Sequence, residues 1–360
     1  MSERPIEELQ FLRKLQRLLA EGDFSATYKL ALLNALADLS VEGDLAHDGS
    51  LRVPIDAIAA KLIEYYWPQA QPYRAAEGAG FVLLQNAGQQ AAVISALTAM
   101  QGAHPTLAAA RAARGWPALV RKVAAVIVTM PLWKLQTVGS ERDEFLYRQA
   151  EFNDRSIRLL PGVPQALRAL YGLVLDAVRG AWVRQITRIG ANRARLADAD
   201  LATFLFGSER GSLEAFARVL REHQRKRCLY CRSEIRGGGE VDHFIAWSRY
   251  PADLGHNLVL AHPRCNNKKR DFLVYPRHLE SWYRSHIEGA GELAKGFDEA
   301  RLPYDTERTR AVVWWAYEQG ERAGAHAWIE DERFVRLDGG WRAAMGTLAR
   351  VAEPAEPPYG

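Results

Sequence analysis

The chain has 360 residues, with 47 Lys and Arg against 43 Asp and Glu, for a formal net charge of +4. That length can bury a large core and hold two or three domains. The near-balance of charge excludes a polycation, so any surface for nucleic acid must come from local clusters of Lys and Arg. No apolar run reads as long enough to span a bilayer, and residues 1–12 lack the continuous apolar stretch of a secretory signal. The expected location is therefore the cytoplasm, with no membrane partner.

In chain order, the first part reads as helical. Residues 5–20 carry Leu9, Leu12, Leu15 and Leu19 at three- and four-residue spacing, the pattern of one buried helix face, and Gly22 and Asp23 end it. Ser25 suits the N-cap of a second helix reaching about Val41, with Leu32, Leu36 and Leu39 on its apolar side. Residues 51–53 read as a short strand, and Pro54 opens a helix that Pro68 ends. Further helices are expected at 88–100 and 117–128. Residues 131–160 are less regular, with short strands expected at 132–138, 144–148 and 156–160.

The clearest helix spans 164–193, where Leu167, Leu170, Tyr171, Val174, Leu175, Val178, Trp182, Ile186 and Ile189 form one stripe. Arg168, Arg179, Arg184, Arg188 and Arg195 mostly fall off that stripe. They read as a solvated face or, alternatively, as a surface tracking a nucleic-acid backbone. A helix at 212–224 leads into the cysteine segment, and helices follow at 276–287 and 306–323. The Pro-rich end, 353–360, is expected to be disordered. The region up to about residue 208 contains no phosphate-binding Gly-rich loop and no second metal cluster.

The three cysteines, Cys228, Cys231 and Cys265, lie close together, two of them as Cys-x-x-Cys. A low, odd count argues against a disulfide framework and for metal ligation in a reducing compartment. His262 and Cys265 repeat the two-residue gap, and Cys3His is a standard closed zinc set. On spacing alone the fourth position stays open between His262, His223 and no fourth side chain. Glu240 to Ile245 alternates polar and apolar residues after Gly237-Gly238-Gly239, which reads as a strand. Leu258 to Leu260 reads as a second strand, and a helix begins near Cys265.

Asp242-His243, Asn257 before Leu258, and Cys265-Asn266 followed by Lys269 occur in that order, with Cys228-x-x-Cys231 before them. This array resembles the HNH nuclease family, in its zinc-bearing form with Asn at the last motif position and His262 beside Cys265 where two cysteines are usual. The resemblance covers about residues 226–273. It implies a ββα-metal module in which Zn2+ on Cys228, Cys231, His262 and Cys265 is structural. It also implies His243 as general base, Asn257 as the residue holding it, and Asp242 and Asn266 as ligands of a catalytic Mg2+ or Mn2+. Cleavage would leave 5′-phosphate and 3′-hydroxyl ends.

Arg264, Lys268, Lys269 and Arg270 are candidate phosphate contacts, as is His256, unless it serves only the turn. The expected fold is mainly α with a small α+β ββα-metal module. The expected parts are a helical N-terminal domain (1–208), the nuclease module (209–275), a helical extension (276–352) and the tail. The expected activity is hydrolysis of DNA phosphodiester bonds, in restriction or phage defence. The alternative is a zinc-dependent nucleic-acid-binding protein that no longer cuts. The N-terminal domain would read substrate, dock a protein partner or mediate self-association.

One difficulty is geometric. Adjacent residues of a strand point to opposite faces, yet Asp242 and His243 must serve one site; a strand end or a bulge there would reconcile them.

Overall fold

The structure, a computed structural model, describes residues 5–73, 80–153, 155–196, 200–207 and 211–346. The tail expected to be disordered, 353–360, lies outside the described residues. The chain divides into two compact units, Met1–Ser208 and Glu209–Gly360. The whole is mainly α with small sheets.

In the first unit, helix Tyr28–Glu42 is buried on nearly every side, which marks a central helix rather than an amphipathic surface one. It packs against helices Ile55–Gln69, Val163–Ala169 and Tyr171–Arg188. Strands Leu51–Pro54 and Ser156–Leu159 pair antiparallel beside it. The first helix, Glu8–Glu21, buries Phe11, Leu15 and Leu18, whereas Leu9 is 60% exposed. The stripe is therefore shifted from the leucine spacing by the larger apolar area of Phe11.

Several boundaries move for local reasons. The second helix starts at Tyr28, and no side chain caps it; the Thr27 hydroxyl is engaged with Tyr66 and Gln85 instead. Pro68 sits inside the last turn of its helix, which continues to Gln69. The long helix expected over 164–193 is three pieces, Val163–Ala169, Tyr171–Arg188 and Gly190–Arg193, because the backbone leaves helical dihedrals at Leu170 (ψ 17°) and Ile189 (ψ 115°). Residues 131–134 are helical, and 144–148 contribute only an isolated bridge between Tyr147 and Leu159.

The arginines beside the long stripe are partly internal. Arg168 donates to the carbonyls of Ser40, Val41 and Gly43 at the end of the central helix. Arg179 lies 5.1 Å from the Phe206 ring and Arg195 5.2 Å from Phe81. One stretch, Trp116–Lys134, is long and apolar enough by length and composition to cross a membrane, which the sequence reading missed. Its helix Trp116–Thr129 packs Leu119, Val120, Val123 and Ile127 inward and lies against Ile55–Gln69, as a core helix does.

The second unit opens with helix Gly211–His223, which packs on a two-stranded antiparallel sheet. Strand Glu240–His243 pairs with Leu258–Ala261, in a register that sets Asp242 opposite Val259 and His243 opposite Leu258. Helix Pro263–Lys269 follows, with Pro263 at its first position, where no amide hydrogen bond is lost. Phe244 and Trp282 stack behind this sheet at 4.7 Å. The extension expected to be helical also holds strands. Leu273–Val274 pairs in parallel with His326–Glu330, which pairs antiparallel with Arg333–Arg336. This three-stranded sheet is separate from the two-stranded sheet of the ββα element.

Candidate active site and zinc clasp

The cysteine segment starts where the first helix of this unit ends. Cys228, Leu229, Tyr230 and Cys231 form a tight turn in which the Arg232 amide donates to the Cys228 carbonyl. The Leu229 amide donates to the Leu260 carbonyl and fixes this turn to the second strand. His262 and Cys265 come from the N-terminal end of helix Pro263–Lys269. The four ligand atoms of Cys228, Cys231, His262 and Cys265 lie within 4.8 Å of one another. A tetrahedral zinc with ~2.3 Å bonds to sulfur needs ligand separations of roughly 3.8 Å, so the cluster fits the ion.

The imidazole tautomer agrees. His262 Nε2 lies 3.2 Å from the Glu234 carbonyl, which can only accept, so Nε2 carries the proton. Nδ1, 3.2 Å from Cys231 Sγ, keeps its lone pair for a metal. The Cys228 thiol is lowered to about 4, first by the Cys265 thiol as a donor and then by amide N–H groups, against the effect of burial. A thiolate is the form that ligates. His223 is not part of this set, because its Nε2 is engaged with the Ser285 carbonyl.

A separate cleft of about 520 Å³ lies at the end of strand Glu240–His243. Asp242, His243, Trp247, Asn266 and Arg270 line it. The strand stops at His243, and this strand end lets neighbouring residues of opposite faces border one cleft.

Asp242 is buried and doubly held. The Tyr230 hydroxyl donates to Oδ2 at 2.5 Å, and Lys269 Nζ lies 3.1 Å from the same oxygen. Oδ1 has only a longer contact with Lys269, at 3.4 Å. Burial, followed by the Asp242 charge, raises the Tyr230 phenol well above its ordinary value, so it stays a donor. A carboxylate has about four lone-pair sites, which leaves Oδ1 capacity for a ligand. Asn266 donates through Nδ2 to Glu240 at 2.9 Å, and its amide oxygen has no hydrogen bond among the described residues. Asp242 Oδ1 and the Asn266 amide oxygen are both hard oxygen donors, the kind of ligand that divalent cations such as Mg2+ or Mn2+ take.

His243 is oriented by a residue the sequence reading missed. Its Nε2 lies 2.8 Å from Asp253 Oδ1, and its ring meets Trp247 edge-on at 5.5 Å. A carboxylate partner makes Nε2 the protonated nitrogen and leaves the lone pair on Nδ1. Asn257 acts one step away. Its side chain accepts from the Ile245 amide at 2.8 Å and donates to the Ile245 carbonyl at 3.0 Å. Its own carbonyl accepts from the Phe244 amide. It therefore pins the backbone just after His243 and makes no contact with the ring among the described residues.

The expected phosphate contacts divide. Arg270 borders the cleft. Lys269 is a correction: its side chain is 0% exposed, and Nζ bonds the carbonyls of His243 and Arg270 as well as Asp242. No phosphate can reach it. His256 is likewise fully buried, so it belongs to the turn and not to a phosphate surface. Arg264 and Lys268 lie outside the cleft, each paired with an acid of the hairpin turn, Asp331 at 2.7 Å and Glu332 at 2.6 Å.

A two-stranded antiparallel sheet, a following helix, a Cys3His clasp and a His–Asp–Asn cleft define a ββα nuclease-type module. Residues 228–272 match the family model for HNH endonuclease. Residues 8–205, more than half of the chain, match the family described as domain of unknown function DUF8808, and the protein belongs to that family. No curated protein and no solved structure matches the chain.

Proposed function

We propose that this protein is a metal-dependent endonuclease that hydrolyses phosphodiester bonds of DNA. The observation that carries this reading is the single cleft bordered by His243, Asp242 and Asn266, with His243 held by Asp253. Hydrolysis needs a deprotonated water in line with the scissile P–O bond and positive charge at phosphorus and the leaving oxygen. His243 Nδ1 takes the proton from water, and the Asp253 carboxylate stabilises the imidazolium that forms. Asp242 and Asn266 would hold a divalent cation, which would supply positive charge to stabilise the phosphate and the leaving 3′ oxygen. Lys269 and Tyr230 hold the Asp242 carboxylate in place. Cys228, Cys231, His262 and Cys265 would hold zinc and so tie the Tyr230 turn to the start of the helix that carries Asn266 and Lys269, a structural role.

Plasmid incubation with Mg2+ or Mn2+, followed by end-labelling, tests this. The expected products carry 5′-phosphate and 3′-hydroxyl ends. Absence of cleavage with either ion on duplex and single-stranded substrates contradicts the reading.

One observation favours a second reading, a binding protein that no longer cuts. The Lys269 ammonium already neutralises Asp242. Mn2+ titration by electron paramagnetic resonance separates the two. Bound Mn2+ that Asp242→Asn abolishes supports the nuclease; DNA binding with no bound Mn2+ supports the second reading. We further propose action in a reducing cytoplasm, in restriction or phage defence, with the helical N-terminal unit reading substrate, docking a partner or self-associating. Plaque counts on cells with and without the gene test the defence setting.

A further inference from the structure

The helix Gly211–His223 ends in an unusual way. Arg225 and Lys226 both have positive φ, 50° and 56°. This left-handed region favours glycine, because an L side chain crowds the backbone there. Helices often end on one such residue, usually Gly. Here two consecutive cations take the strained positions.

The turn is fixed, not loose. The Lys226 amide donates to the Arg221 carbonyl and the Arg227 amide to the Gln224 carbonyl. Gln224 pairs its side chain with both backbone groups of Leu260, at 2.7 and 2.9 Å, as a neighbouring strand would. The turn is thereby locked to the edge of the sheet that carries Asp242 and His243.

The cations also share one open groove of about 570 Å³, bordered by Arg218, Arg221, Arg225 and Lys226 together with Glu214 and Glu222. Arg218 and Arg221 sit three residues apart on the helix, and Arg225 and Lys226 follow its end along the same groove. Among the described residues, none of these four cations makes an ion pair or a side-chain hydrogen bond. The contrast within the same unit is sharp, since Arg264, Lys268 and Arg277 are each paired with a carboxylate. Cations at a helix C-terminus also complement its dipole. That effect explains positive charge there, but not two side chains placed where glycine is preferred.

We propose that this groove binds the sugar-phosphate backbone of duplex DNA away from the scissile bond, with Arg225 and Lys226 held by the strained turn so that both ammonium and guanidinium groups face consecutive phosphates. The inference rests on the nuclease reading for its choice of DNA, and it adds a second contact area to the cleft. Such contacts position a substrate without reading its sequence.

The test uses the full chain carrying His243→Ala, so that substrate stays intact. Affinity for a fluorescent duplex is measured across salt concentrations, for this protein and for the same protein with Arg225→Gly and Lys226→Gly. Glycine removes both charges and also relieves the strain, so melting temperature and zinc content should not fall. The expected result is a roughly tenfold loss of affinity and a salt slope shallower by about two, one per phosphate contact. An unchanged slope with unchanged affinity overturns the groove proposal while leaving the nuclease reading intact, and assigns the cations to helix capping. Failure of the parent protein to bind duplex DNA at low salt overturns both.

Discussion

Tyr230 and Asp242 are joined at 2.5 Å, and this bond links the zinc clasp to the cleft. Tyr230 lies between Cys228 and Cys231 of the clasp, and Lys269, at the far end of the helix that carries Cys265, holds the same carboxylate. The two proposed metal sites therefore share a carboxylate support although they share no ligand.

Tyr230→Phe removes that donor while keeping the ring that packs edge-on against Trp328. The loss of one hydrogen bond to a buried charged group costs about 2 kcal/mol of stability. Mn2+ affinity should fall by about 10- to 100-fold, as for other supports of a metal ligand. Calorimetric titration checks the affinity, and zinc content should stay unchanged. Undiminished Mn2+ binding would mean that Asp242 needs no help from the clasp.

Asp253→Asn leaves the size of the side chain but removes the charge that stabilises a His243 imidazolium. The cleavage rate should fall by about 10²–10⁴ at an unaltered melting temperature. The fall should appear in the maximal rate and not in substrate affinity, since Asp253 acts through its bond to His243. Single-turnover cleavage separates the two quantities.

Removal of zinc should unfold the ββα element, because the Cys228–Cys231 turn and the start of helix Pro263–Lys269 would be joined through the ion. Chelation is expected to abolish the near-ultraviolet signal of Tyr230 and Trp282, while the helices of the first unit persist in the far ultraviolet. Cys231→Ser should do the same without chelator. A near-ultraviolet spectrum that survives complete zinc loss contradicts a structural role.

The second unit should also be acid-sensitive. His256 is lowered to about 4, chiefly by burial, and His286 lies well below its ordinary value for the same reason. Their folded values are below the unfolded value of about 6.5, so the unfolded chain binds more protons between the two. Stability is full above pH 6.5 and declines as pH falls from there toward 4. The loss for His256 alone is on the order of 3 kcal/mol. Urea unfolding across that range checks the slope, and His256→Phe should flatten it.

Legibility in the sequence followed the range of each interaction. The clasp was readable because both halves are short local patterns, and its open fourth position was settled only by the fold, which brings His262 in and leaves His223 on Ser285. Asp242, His243 and Asn266 were found as motif positions. Asp253 was not, since its meeting with His243 depends on the path of a ten-residue loop that carries no periodic signal. Lys269 was misread because a Lys in a basic run looks solvated, while its burial depends on a carboxylate two elements away. In the first helix, leucine spacing pointed to a face including Leu9, but Phe11 and Leu18 turned the helix. The strands of residues 326–336 escaped a helical reading because their pairing with Leu273–Val274 is distant in sequence.

The most direct measurement compares wild type with His243→Ala, at equal zinc content and equal melting temperature, for cleavage of duplex DNA with Mn2+. The account predicts products with wild type and a rate lower by at least about 10² in the variant. Equal rates for the two proteins would contradict the assignment of the general base, and with it the chemistry placed in this cleft.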